Sequence, residues 1–389
     1  MALPHANWNY PTAIRFGAGR IAELPEVCRA LGMERPLLVT DPGLAEMQMV
    51  KSGLASLPSA SLFSSVHSNP VGADVEAGVA AFREGRHDGV IAFGGGSALD
   101  AGKVVAFMAG QARPIWDFED VGDWWSRADP AGIAPIVAVP TTAGTGSEVG
   151  RAGVILDEDA HTKKIIFHPK MLPSVVILDP ELTLGLPPHI TAATGIDALS
   201  HCLEAYCAPG FHPMADGIAA EGMKMIRQWL PRAVSDGSDL EARGHMLVAA
   251  SMGATAFQKG LGGMHALAHP IGALHGSHHG LTNAVLMPYV LVFNRIAIEE
   301  RIASLGAYIG LPDASFDGFL AWIVELRQSL GIPHTLRDLG VPADRADLIA
   351  RMAEADPSAG GNPLPFDGAA ARQVFDAAME GRLASFSAT

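Results

Sequence analysis

Cysteine is scarce in this chain of 389 residues: Cys28, Cys202 and Cys207 are odd in number and lack CxxC spacing. That argues against a disulfide framework or a thiolate zinc site. The three read as buried free thiols, and a cytoplasmic setting is the expectation. Charge is scarce too, at 17% of residues, and positive charge is scarcest: 27 Lys and Arg against 41 Asp and Glu leave a formal net charge of −14. Nucleic acid and anionic membranes are therefore poor partners. No uncharged apolar run approaches the roughly 20 residues that span a bilayer. The start, Met1–Trp8, lacks the basic residues and apolar core of a signal peptide.

What is present is a globular composition, with 49% apolar residues. The length predicts two domains. Up to about residue 185, short Val/Ile/Leu runs alternate with helical stretches. Pro36–Asp41, Gly89–Phe93, Ile133–Val139 and Val175–Asp179 read as buried strands of a parallel sheet. Ile21–Leu31, Ala73–Glu84 and Asp100–Met108 carry helical spacing between them. Gly153–Leu156 and Lys164–Phe167 read as a hairpin appended to that sheet. After Leu186 the strand signals vanish. Helical spacing covers Ile190–Tyr206, Met214–Leu230, Leu240–Lys259, Gly262–Leu274 and stretches near 295–311, 315–330, 343–355 and 367–384. The expectation is an α/β domain over 1–185 and an all-helical domain over 186–389. The loop holding Trp116, Trp124 and Trp125 fits a lid, a subunit contact or a packed surface loop.

Two phosphate-binding fingerprints are missing: the GxGxxG pattern is broken by Leu99, and no Gly-Lys-Ser/Thr closes a Walker loop. In their place Gly94, Gly95, Gly96 and Ser97 follow a strand and open a helix that continues through Asp100 to Lys103. Glycine lets backbone approach a bulky anion, and a helix N-terminus supplies free N–H donors. Thr141, Thr142 and Thr145 end the next strand. Small polar residues thus gather at carboxyl ends of parallel strands, where open α/β sheets bind ligands. Asp41 ends an early strand, where an acid accepts from ribose hydroxyls and repels a 2′-phosphate, which selects NAD over NADP. The alternative for Asp41 is a helix cap ahead of Pro42 and Gly43.

The second constellation lies downstream. His201, His265, His269, His275, His278 and His279 gather between Asp197 and Gly280. Asp197 and His201 are four apart, as are His265 and His269, so each pair shares a helix face. Asp197, His201, His265 and His279 offer one carboxylate and three imidazoles, a set suited to a divalent first-row metal with room for substrate. Affinity alone favours Zn²⁺ over Fe²⁺ at such a site. Glu204, one turn after His201, is a supporting partner or a solvated acid.

These residues resemble the iron-containing (group III) alcohol dehydrogenases. The resemblance runs through Phe16–Gly19, Asn69–Pro70, Gly94–Lys103, Pro140–Glu148, Leu178–Pro180, Gly195–Tyr206 and Gly262–Gly280. It implies a nucleotide-binding α/β domain followed by a helical metal-binding domain, the dehydroquinate synthase-like arrangement, and a homodimer. It implies NAD(H) and a divalent metal, Fe²⁺ first and Zn²⁺ second, for oxidation of a small alcohol or reduction of its aldehyde or ketone. By position, the metal falls to Asp197, His201, His265 and His279, and proton transfer to His269. Nucleotide contacts fall to Asp41, Asn69, Gly95, Gly96, Ser97, Asp100, Thr141, Thr142, Thr145 and Lys163. Gly150 and Arg151 stand where relatives often carry a Thr, and His275 and His278 take no role from the resemblance. The rival expectations are a maleylacetate reductase-like or glycerol dehydrogenase-like enzyme of the same fold, or a nonenzymatic metal- or nucleotide-binding regulator.

Overall fold

The structure, a computed structural model, describes residues 12–383. Met1–Trp8 and the last residue of the helix expected over 367–384 lie outside the described residues. The described chain divides between Gly185 and Leu186 into two compact units.

The first unit is built on a six-stranded sheet. Its strands are β1 (Ala13–Phe16), β2 (Pro36–Val39), β3 (Ser61–Phe63), β4 (Gly89–Gly94), β5 (Ile136–Pro140) and β8 (Val175–Leu178). They lie in the order β1-β8-β5-β4-β2-β3, and every pairing is parallel. Residues of β2, β4 and β5 are buried without alternation, as strands covered on both faces must be. The helices are α1 (Leu24–Ala30), α2 (Pro42–Ala45), α3 (Gln48–Ala55), α4 (Gly72–Glu84) and α5 (Gly96–Met108). α5 is buried from Ala101 through Met108 because it packs beneath both the sheet and a hairpin.

That hairpin pairs β6 (Ala152–Asp157) with β7 (Thr162–Phe167) and departs from expectation in one respect. It forms its own two-stranded sheet rather than extending the six-stranded one. Gly153 crosses α5 so closely that a Cβ there would lie 2.5 Å from Val104 Cγ2 and 2.9 Å from the Asp100 carbonyl oxygen. The hairpin is laid on a helix, not on a strand edge. The tryptophan loop packs on it: Lys164 Nζ sits 5.2 Å from the centre of the Trp116 ring, and Trp125 meets His168 edge-on.

In this sheet the chain steps from β2 outward to β3, then returns past β2 to β4 and continues to β5. The direction of winding therefore reverses between β2 and β4. The carboxyl ends of those two strands flank the crevice where such sheets take ligands.

Among its described residues the second unit has no strand and is mostly helical. It comprises α6 (Pro188–Cys207), α7 (Pro213–Ser235), α8 (Leu240–Ala256), α9 (Gly263–His275), α10 (His279–Tyr308), α11 (Phe316–Ser329), α12 (Ala346–Ala355) and α13 (Gly368–Glu380). α6 packs against α7, α8 and α10, and α10 packs against α6, α9, α11 and α13. α10 starts well before the stretch expected near 295. By length and composition it would pass for a membrane span, yet it runs through the unit's interior.

Candidate active site

Four helical side chains converge in the second unit. Ligand atoms of Asp197, His201, His265 and His279 all lie within 4.8 Å of one another. Asp197 and His201 sit a turn apart near the middle of α6. His265 lies in the first turn of α9, and His279 is the first residue of α10. Asp197, His201 and His265 are buried and His279 is half-buried. The His201 and His265 rings stack with centroids 4.8 Å apart, and the edge of Phe257 meets His201 at 5.1 Å.

The donor set fits a divalent cation. His279 Nε2 stands 3.6 Å from Asp197 Oδ1. The edge of a tetrahedron with 2.0–2.1 Å bonds is roughly 3.4 Å. One carboxylate with three imidazoles is also the chemistry that Fe²⁺ and Zn²⁺ accept. Burial pushes the Asp197 carboxyl up, but His201, His279, His265 and an Asn283 hydrogen bond outweigh it and hold the group at about 2. Asp197 is thus anionic wherever a cation would be offered. For His265, burial disfavours charge, but Glu204, with Asp197 and Asp356, outweighs it and raises the pKa.

Three supporting residues surround this set. Asn283, on α10, donates to Asp197 Oδ1 at 2.9 Å, and its Nδ2 lies 3.2 Å from Nε2 of both His265 and His279. Its Oδ1 is buried without a hydrogen-bond partner. Glu204 stands 2.6 Å from His265 Nδ1. Asp356, just past α12, stands 2.8 Å from His269 Nδ1, and the His269 ring stacks on His279 with centroids 5.5 Å apart. Burial raises the Asp356 carboxyl, but His269 and two hydrogen bonds from Ser358 hold it below the usual carboxylate range. Asn283 follows His279 by four residues, a spacing that signals a shared helix face. Asp356 lies 87 residues beyond His269, and nothing in the sequence points to it. His275 ends α9 and His278 immediately precedes α10, both outside the donor set.

In the first unit, Gly94 ends β4 with φ +146°, a conformation that side chains resist, and turns the chain into α5. A Cβ at Gly96 would lie 2.6 Å from Thr145 Cγ2, and one at Gly95 would lie 3.4 Å from Thr142 Cγ2. The glycine turn and the threonine loop after β5 therefore face each other at close range. Ser97 Oγ donates to the Ser68 carbonyl at 2.5 Å, which fixes the Asn69 segment beside the turn. Leu156, the register partner of Lys163, donates to the Pro70 carbonyl at 2.8 Å, so the hairpin holds Lys163 near that segment. Thr141 is buried, and its N–H donates to the Gly94 carbonyl.

Two acids have structural partners. Asp41 Oδ1 accepts from Gly43 N and Leu44 N and caps α2, while Oδ2 faces Gly94 across the winding reversal. Asp100 accepts from Ser147 Oγ and Val154 N and lies 3.2 Å from Lys103 Nζ, tying α5 to the threonine loop and the hairpin.

Known proteins with this architecture are numerous. The chain is 38% identical to a 4-hydroxybutyrate dehydrogenase of Cupriavidus necator over 383 residues, 95% of this chain and 99% of that protein. A crystal structure of 1,3-propanediol oxidoreductase superposes with a TM-score of 0.91 at 36% identity, covering 96% of this chain and 100% of the other. The sulfoacetaldehyde reductase of Bifidobacterium kashiwanohense, solved in complex with NAD⁺, superposes with a TM-score of 0.87 at 30% identity, covering 96% and 99%. The model of the family described as iron-containing alcohol dehydrogenase matches residues 11–180, and that of its C-terminal domain matches 191–379. With both halves matched in order, this chain belongs to the iron-containing alcohol dehydrogenase family.

Proposed function

We propose that this protein is an NAD(H)- and metal-dependent alcohol dehydrogenase interconverting a small alcohol and its aldehyde or ketone. The observation that carries the reading is the convergence of Asp197, His201, His265 and His279 within 4.8 Å. Fe²⁺ is the expected resident metal, and Zn²⁺ competes for the same donors. When bound, the cation supplies Lewis acidity toward the substrate oxygen and the nicotinamide supplies the hydride acceptor. The residues 186–389 hold the metal and the residues 1–185 hold the nucleotide.

The chain's own groups divide the remaining work. Asp197 brings negative charge, and the three imidazoles leave the site cationic overall when loaded. Asn283 holds Asp197 Oδ1 through Nδ2, which also faces Nε2 of His265 and His279. His269, held through Nδ1 by Asp356 and stacked on His279, passes the hydroxyl proton outward. At the nucleotide end, the backbone of Gly95 and Gly96 and the N–H groups opening α5 receive the pyrophosphate. Ser97, Thr141, Thr142, Thr145, Asn69 and Lys163 line its approach. Asp41 Oδ2 accepts from ribose and sets the preference for NAD. Asp100 acts on the nucleotide through the loop it braces. A cytoplasmic homodimer completes the reading. The three buried free thiols support the compartment, and the edge strand β1, with Ile14 and Phe16 exposed, supports pairing of two copies.

The test is anaerobic loading with Fe²⁺, then NADH and a panel of short, branched and acidic aldehydes, followed at the nicotinamide absorbance. Turnover should require metal, and His265→Ala should lose both metal and turnover. Full activity in metal-depleted His265→Ala would overturn the mechanism. A loaded protein inert toward the whole panel would favour a binding protein instead.

A further inference from the structure

Glu204 is a buried carboxylate, 5% exposed, that stands outside the four donors. It lies on α6 one turn after His201 and reaches the start of α9. Its Oε1 accepts the Met264 N–H at 2.7 Å, and its Oε2 stands 2.6 Å from His265 Nδ1. A Cβ on Gly262 would lie 3.1 Å from Oε1, so glycine gives the carboxylate room at the helix end. Beside it Asn362 Oδ1 accepts the Gly263 N–H at 3.1 Å and is held in turn by Asn294.

We propose that Glu204 is the positioning residue of the metal centre, setting the tautomer of His265 and tying α9 to α6 at one spacing. The proposal rests on the metal reading of the four donors. Opposite a carboxylate, Nδ1 carries the proton. Nε2 is then left with its lone pair directed at the donor cluster, where Asn283 Nδ2 lies 3.2 Å away. The Met264 N–H is a donor in every state. Glu204 therefore faces two donors, and only a group with two acceptors satisfies both. An isosteric amide has one acceptor and one donor. If its NH₂ faces His265, Nδ1 must give up its proton, and Nε2 takes a hydrogen where the cation should bind. If the amide turns the other way, two N–H groups meet at Met264.

Glu204→Gln tests this, with Co²⁺ as the probe and its visible spectrum as the report of ligand number and geometry. The variant should keep the far-UV circular dichroism of the unaltered protein and bind Co²⁺ on the order of 10–100-fold more weakly, with an altered spectrum. Asn362→Ala, which removes the neighbouring cap and the bonds to Asn294 and Leu364 but leaves Glu204 on His265, should lower stability and leave Co²⁺ affinity unchanged. Unaltered affinity and spectrum in folded Glu204→Gln would overturn the proposal, as would an equal loss in Asn362→Ala. Failure of the unaltered protein to take up Co²⁺ would instead overturn the metal reading. If Glu204→Gln does not fold, ring-¹⁵N shifts of the metal-free unaltered protein decide, with His265 assigned by its loss in His265→Gln. Protonated Nδ1 with bare Nε2 upholds the proposal, and the opposite tautomer overturns it.

Discussion

A methyl group added at Gly280 would have to open the crossing of α6 and α10. Its Cβ would lie 2.3 Å from the Ala193 carbonyl oxygen, 3.0 Å from the Ala193 carbonyl carbon and 3.2 Å from Asp197 Cβ. Two of these are backbone atoms of α6, so no rotamer change relieves them. Ordinary contact is about 3.5 Å, and the helices must part by roughly 1 Å. Gly280 follows His279 directly, and the displaced turn carries that ligand away from Asp197. Metal–ligand bonds tolerate about 0.2 Å, so the expected opening exceeds the tolerance several-fold.

Stability is the poorer readout of this change. Overpacking costs about 1–3 kcal/mol, and replacing a helical glycine by alanine returns up to about 1 kcal/mol. The net effect is about 0–3 kcal/mol, within the scatter of surface substitutions at its lower end. Metal affinity is the decisive quantity. Gly280→Ala should fold, as judged by urea unfolding, yet retain little Fe²⁺ or Co²⁺ after equilibrium dialysis against a weak chelator. Full metal stoichiometry at unchanged affinity would refute the claim that this helix crossing sets the ligand spacing.

His269→Ala should keep metal and NAD binding while changing the pH dependence of turnover; an unchanged pH–rate profile would assign His269 a packing role. Asp41→Ser should raise kcat/KM with NADP relative to NAD, and a marked NADP preference in the unaltered enzyme would remove the ribose role from Asp41. Asp356 predicts an acid limb in stability. Its carboxyl is held below the unfolded value of about 3.9, so its contribution is complete above about pH 4 and is lost as pH falls through the lower folded value. Urea unfolding of the metal-free protein should show this loss, and Asp356→Asn should flatten it; parallel curves for the two proteins would exclude the effect.

The parallel sheet was legible because β2, β4 and β5 are buried on both faces and read as unbroken apolar runs. β1 and β3 escaped notice for the opposite reason: they are short, mostly exposed edge strands whose residues carry little burial signal. The first half of α10 was hidden by burial on every side. Gly280 and Thr282 through Val292 are all interior, so no 3.6-residue stripe exists to be read, and Pro288 interrupts the pattern further.

The donors were legible in full, whereas Glu204 was left between a supporting partner and a solvated acid and Asp356 was not seen, and the difference is one of chain separation. Asp197 and His201 share a helix face, so spacing alone brings them together. His265 and His279 open α9 and α10 and come within reach because the chain turns between those helices. Glu204 and Asp356 act through contacts 61 and 87 residues away, which depend on how helices cross rather than on any local period. Only the crossing shows that Glu204 meets two donors, and hence why this position needs a carboxylate rather than an amide of the same shape. Ligand identity is written in local spacing. The tautomer, charge and separation of those ligands are set by the packing of α6 against α9 and α10, where Gly262 and Gly280 allow the approach.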